Sequence, residues 1–324
     1  MMSKTAIVTG GTRGIGHAIS KRLVDDGYKV AATYAGKLTV KTTADLQTTD
    51  TLTGGAGTSD TLIITATGTA MVANDLDTVT LFEAVDIAFN AAFGMTSATE
   101  QIATGGSLAW TATGMTTAAL TLDLSDETDT TSSQTVTVLG TGAHIITLGS
   151  GTDTLTSTST GVITAVLTAG ANTVTTGAGA DIITLGTGVD SVTAGAGNDT
   201  INSATANLVS TDTIAGGAGT DTLALSDAAT VVDADFTNIT NVETLSYGNN
   251  AGTLTLGAAS MAAGIVTITD GTGVTTMTVG AGHTSALTVA LSTGNDSITG
   301  SASAAALTVT AAQDSLTTDD TVVG

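Results

Sequence analysis

The sequence predicts an all-β fold: a parallel β-roll or β-solenoid with additional threonine-rich β repeats, preceded by a short α/β fragment. Three observations carry this reading. First, a nine-residue unit, G-x-G-x-D-x-U-x-x with U a large apolar residue, runs in ungapped tandem at 177–185, 186–194 and 195–203. Second, roughly a quarter of residues 42–324 are threonine, whose β-branch favours extended chain, and no proline interrupts a ladder. Third, charge divides the chain. All seven basic residues (Lys4, Arg13, Lys21, Arg22, Lys29, Lys37 and Lys41) lie in the first 41 positions beside two acids, a balance of +5, whereas the rest holds 27 acids and neither Lys nor Arg. That switch separates two unrelated kinds of sequence and gives the expected divisions 1–41, 42–139, 140–225 and 226–324.

Composition excludes several function classes. The 324 residues contain no cysteine, so disulfide frameworks, zinc-thiolate centres and cysteine nucleophiles are ruled out. The net charge of -22 argues against a nucleic-acid backbone as partner. There is no 18-residue apolar run, so no membrane-spanning helix is expected.

In chain order, KTAIVT at 4–9 reads as a buried strand, GGTRGIG at 10–16 as a glycine turn, HAISKRLVDDG at 17–27 as a helix, and YKVAATY at 28–34 as a second strand. Strand, glycine turn, helix and strand open a dinucleotide-binding unit, in which glycines admit a pyrophosphate to the helix N-terminus. Between 42 and 139 short threonine-rich runs read as strands, with one exception. In LFEAVDIAFNAAFG at 81–94 the spacing of Leu81, Val85, Phe89 and Phe93 predicts a short helix ending at Gly94.

From 140 to 225 the nonapeptide beat dominates. GSGTDTLTS at 149–157 and GAGTDTLAL at 217–225 fit it fully, GTGAHIITL at 140–148 carries His144 in the aspartate place, and TAGANTVTT at 168–176 carries Asn172 there. Asp212 stands nine residues before Asp221. Beyond 226 the copies decay, and STGNDSITG at 292–300 restores the acid at Asp296.

The glycine-rich half of each unit makes a tight turn and the x-U-x half a short strand. Ile183, Val192 and Ile201 are expected in one core column. With two units per coil, residues 18 apart lie above one another, which places Asp181 over Asp199 and Asn172 over Asp190. Stacked carboxylates repel unless a hard cation stands between them, and Ca2+ takes six or more oxygens of the kind that aspartates and turn carbonyls supply. The candidate ligands are Asp181, Asp190, Asp199, Asn172, Asp153, Asp212, Asp221 and Asp296. Asp153, Asp221 and Asp296 read as isolated, without acids on neighbouring coils. The competing structural role for every one is turn closure through local N–H groups.

Two resemblances follow from these motifs. Thr9-Gly10-Gly11-Thr12-Arg13-Gly14-Ile15-Gly16 resembles the TGxxxGxG motif of short-chain dehydrogenase/reductases, most closely the acetoacetyl-CoA reductases. The resemblance implies cofactor contacts at Gly10, Gly14 and Gly16 and a preference for NADP. It stops near residue 36, and the Tyr-x-x-x-Lys pair of that family's catalysis is missing, since no lysine follows Lys41. The GTGVDSVTAGAGNDTI run resembles calcium-binding RTX β-roll proteins, and DADFTNITNVETL at 233–245, with the composition, resembles bacterial surface-layer proteins. That likeness implies Ca2+ between the repeat turns, export from the cell, and copies of the chain and cell-surface polysaccharide as partners.

The function expected is therefore non-enzymatic: an extracellular or cell-surface structural protein that self-assembles into a surface layer or matrix filament. The alternatives are an adhesin or ice-binding solenoid, for which successive coils would show paired Thr-x-Thr ranks, and an NADPH-dependent reductase acting through the head.

Overall fold

A computed structural model describes residues 5–9, 29–33, 37–40, 52–53, 60–65, 79–80, 83–96, 106–227, 230–248, 252–300, 306–311 and 320–323. The chain forms two compact units, Met1–Gly161 and Val162–Gly324. This division falls inside the stretch expected to be one roll, 140–225.

In the first unit every strand pairing among the described residues is parallel. Lys37–Val40, Thr61–Ile64, Ala84–Ile87, Ser107–Ala112, Ser133–Val138 and Thr154–Ser157 form one sheet in chain order. Phe93–Thr96, Leu120–Asp123 and His144–Thr147 line up in a second. Thr5–Thr9, Lys29–Thr33, Leu52–Thr53 and Val79–Thr80 line up in a third. The chain visits one sheet, then another, and returns one strand further along, which is the path of a β-solenoid. Thr5–Thr9 and Lys29–Thr33 have the parallel relation required of the strands flanking a glycine turn and helix. The turn and helix themselves, with Gly10, Gly14 and Gly16, lie outside the described residues.

The helix expected over 81–94 is not there. Its described residues form the strand Ala84–Ile87 and the start of the strand Phe93–Thr96. Val85 and Ile87 are buried while Ala84 and Asp86 are not. This period of two arises because residues 84–87 pair with Thr61–Ile64 on one side and with Ala109–Thr111 on the other. Two neighbouring strands supply hydrogen bonds and apolar cover that outweigh a local spacing of four. Phe89 and Phe93 are buried and meet edge to face with ring centres 5.7 Å apart.

The second unit repeats the architecture. Ile163–Val166, Ile182–Thr184, Thr200–Ser203, Thr222–Leu225, Thr244–Tyr247, Thr267–Asp270, Leu287–Leu291 and Leu307–Ala311 stack in parallel. Thr173–Thr175, Ser191–Thr193, Thr213–Ala215 and Ile239–Thr240 form another parallel sheet. A third holds Thr230–Val231, Gly252–Leu256, Thr275–Val279, Ser297–Gly300 and Thr321–Val323. The three residues expected in one column, Ile183, Val192 and Ile201, are divided between two sheets. Ala165, Ile183, Ile201, Leu223, Leu245, Ile268 and Val289 descend the first sheet, all buried, while Val192 stands on the second sheet between Val174 and Ile214. Successive nonapeptides belong to opposite sheets, so only alternate units share a column.

The coil is 18 residues from Ile182 to Thr200 and 22 from Thr200 to Thr222. The longer coil absorbs residues 204–212, which turn outside the strands. A single α-helix among the described residues, Ala258–Ala263, is held at its start by Asp233, whose two carboxylate oxygens accept the N–H groups of Ser260 and Ala259 at 2.9 and 3.0 Å. It ends on Gly264 in the left-handed region. Among the described residues no helix is long and apolar enough to cross a membrane.

Candidate metal centre

The repeat places its third residue where only glycine fits. Gly197 has φ 132° and Gly219 φ 148°, and a Cβ on either would run into the carbonyl of the glycine one coil earlier, Gly179 or Gly197. The backbones of successive turns thus pack directly on one another, and at residue 216 the Asn241 carbonyl and the Asp221 carboxylate both lie within 3 Å of where a Cβ would stand.

That fifth residue is an inward aspartate. Asp181, Asp190, Asp199 and Asp221 are each no more than 1% exposed. Each carboxylate reaches back one coil and accepts a backbone N–H. Asp181 Oδ1 accepts from Ile163 at 2.7 Å, Asp199 from Asp181 at 2.7 Å, and Asp221 from Asp199 at 2.8 Å. Glu243 Oε2 then accepts from Asp221 at 2.8 Å. A parallel file runs through the other turns, where Asp190 accepts from Asn172 at 3.1 Å and Asp212 from Asp190 at 2.9 Å. The expected stacking of Asp181 on Asp199 and of Asn172 on Asp190 is therefore present.

Burial pushes the carboxyls of Asp181, Asp190 and Asp221 upward, and that of Asp199 up to about 6, against the pull of the N–H bonds each accepts. Neighbouring acids push the same way: Asp212 on Asp190, Asp181 and Asp221 on Asp199, and Glu243 on Asp221. The second oxygen, Oδ2, of Asp181, Asp190, Asp199 and Asp221 is buried without a hydrogen-bond partner. A buried anionic oxygen in that state is costly unless it takes a proton or a cation. The space beside Asp221 stays open because residue 216 is glycine; a Cβ there would stand 2.6 Å from Oδ2. Hard oxygen donors, unsatisfied and lined up beside turn carbonyls, fit a Ca2+ ion. Among the described residues no three His, Asp or Glu side chains converge on one point. An ion would therefore be held by one or two of Asp181, Asp190, Asp199 and Asp221, with backbone carbonyls completing its shell.

The remaining candidates divide. Asp212 spends both oxygens on backbone, its Oδ2 accepting the Val209 N–H at 2.8 Å, and so closes the inserted turn. Asn172 holds the expected place, with its amide donating toward the Gly170 carbonyl at 3.5 Å. Asp153 is buried, accepts the Gln134 N–H at 2.7 Å and is pushed up to about 6 by burial. His144, in the same place on its coil, accepts the Leu120 N–H through Nδ1 at 3.1 Å, and burial lowers its pKa, favouring the neutral ring. Asp221 and Asp296 are not isolated. Asp221 stacks between Asp199 and Glu243, while Asp296 accepts from Thr275 at 2.9 Å and donates its N–H to Asp320 at 2.7 Å. A search at a fixed period of nine misses Glu243 and Asp320 because these coils are 22 and 24 residues long.

A family profile, the RTX calcium-binding nonapeptide repeat in four copies, matches residues 167–201 and 210–227. Those stretches are similar to RTX repeats. The RTX family is calcium-binding, in agreement with the oxygen-rich turns, and the unmatched stretch 202–209 falls within the longer coil. The head is similar to a second group. Over 35 residues, 11% of this chain, it is 69% identical to acetoacetyl-CoA reductases of Paracoccus denitrificans and Shinella zoogloeoides and 66% identical to that of Rhizobium meliloti. The chain spans 14% of the length of these relatives. No solved structure matches the chain.

Proposed function

We propose that the chain is an extracellular structural protein whose solenoid is completed by Ca2+ and which assembles with copies of itself into a surface layer or matrix filament. The observation that carries this reading is the file of buried carboxylates whose outer oxygens have no hydrogen-bond partner. Without cations, the balance of -27 past residue 41 opposes compaction. With Ca2+ between the turns that repulsion becomes cohesion, so metal binding and folding are one event. Release into a calcium-rich exterior is then the step that sets the fold. Threonine-rich faces and the absence of Lys and Arg beyond residue 41 suit a protein exposed to proteases. In this reading the chain carries out no reaction, and the reductase-like head contributes none.

Circular dichroism of the full chain in Ca2+ and in EGTA tests the calcium step: β signal should be strong in Ca2+ and collapse on chelation, and a signal indifferent to EGTA counts against it. Electron microscopy of the Ca2+-loaded chain tests assembly, with sheets or filaments expected and dispersed monomers contrary to the proposal.

A further inference from the structure

One acid in the second unit breaks the pattern of the others. Asp270 closes the strand Thr267–Asp270 and points into the core, 6% exposed. Its register partner on the preceding coil is Tyr247, which is also buried. A carboxylate buried in register with Leu225 and Tyr247 is unfavourable unless something compensates it. Five residues on, Thr275 occupies the place where the repeat puts its aspartate, and its N–H donates to Asp296 Oδ1 at 2.9 Å as the aspartates elsewhere donate to the next coil. Its hydroxyl donates to Asp270 Oδ1 at 2.8 Å. Two carboxylates from different coils therefore converge on one threonine. The Oδ2 atoms of both are buried and have no hydrogen-bond partner. Burial and the adjacent Asp296 push the Asp270 carboxyl up to about 6, so two anions side by side are not tolerated there unaided.

We infer that Asp270 and Asp296, bridged by Thr275, form a divalent-cation site of the Ca2+ class outside the matched RTX repeats. Asp270 supplies from the end of one strand the carboxylate that position 275 lacks. Two carboxylates neutralise one divalent ion, and the Thr275 hydroxyl, carbonyls of the turn 271–274 and water are the oxygen donors available to complete its shell. This goes beyond the proposed function, which rests on the aspartates between 181 and 221.

The test counts Ca2+ bound to the full chain by equilibrium dialysis, in the parent and in Asp270→Asn. The expected result is a loss of about one ion per chain with the β signal kept in Ca2+. Terbium supplies a second readout that uses the folded parent. Tb3+ at this site is sensitised by Tyr247, so the tyrosine-excited emission drops in Tyr247→Phe and in Asp270→Asn. If the parent binds Ca2+ and Asp270→Asn binds as many ions, the pair holds only a shared proton and the inference is overturned while the calcium reading of the repeats stands. If the parent binds no Ca2+, both fall. Should Asp270→Asn fail to fold, unchanged terbium emission in Tyr247→Phe overturns the inference by itself.

Discussion

A single aspartate in the repeat does two separable jobs, and substitution separates them. Asp181 Oδ1 satisfies the Ile163 N–H, while the buried Oδ2 has no hydrogen-bond partner. Asp181→Asn keeps an oxygen for Ile163 but removes the charge. Chemical denaturation in EGTA should therefore find it as stable as the parent or more so, and calcium titration should find weaker binding. Asp181→Ala removes both functions and should cost about 1–3 kcal/mol even in EGTA, because a buried N–H loses its acceptor. The raised carboxyls also fix a pH dependence. Asp153, Asp199 and Asp270 stand at about 6 in the fold against 3.8 ordinarily. Between those values the native state holds protons that the unfolded chain has released, so metal-free stability is greatest at and below about pH 4 and is lost as pH rises through about 6. Thermal melts in EGTA across that range should show the transition falling with pH. In Ca2+ the trend should reverse, because the ion needs the deprotonated carboxylates. Sequence alone places Asp181 over Asp199, since both lie in uninterrupted nonapeptides. It misses Glu243 and Asp270, the first because coil length changes and the second because it is not in the repeat register.

At the scale of the turn and strand, glycines that look alike in sequence differ in need. Gly197 combines φ 132° with a backbone contact that leaves no room for a Cβ. Gly197→Ala should destabilise the fold by about 2 kcal/mol or more. Gly94 lies in a strand outside the left-handed region, and the nearest atom to a Cβ there is the Thr121 Cβ at 3.9 Å. Gly94→Ala should be neutral or stabilising by up to about 1 kcal/mol. Chemical denaturation of the two variants side by side measures the contrast. Ile201, fully buried at the centre of its column, should cost about 2–5 kcal/mol as alanine. The strands between 140 and 225 are legible because turn glycine and inward apolar residue recur together. Residues 84–87 are not, because Val85, Phe89 and Phe93 are all buried and so imitate a helical face. Only the neighbouring strands decide between the two.

For the molecule as a whole, charge and architecture act together. The segment beyond residue 41 has no site for trypsin, so trypsin should remove only the head, with or without calcium. Proteinase K, which needs no basic residue, reports the fold instead: the chain should resist it in Ca2+ and be degraded in EGTA, followed by gel electrophoresis over time. The all-β class is legible in sequence because threonine, glycine punctuation and the missing prolines all favour short parallel strands. The division at Gly161 and Val162 is not, since composition is continuous across it. One last consequence lies in the orientation of the carboxylate file. Ile163, Asp181, Asp199 and Asp221 each wait for an acceptor that arrives only with the following coil. The ribbon is therefore directional: every coil ends on donors that only its successor can satisfy, and a chain cut short leaves its last coil with one buried donor unanswered.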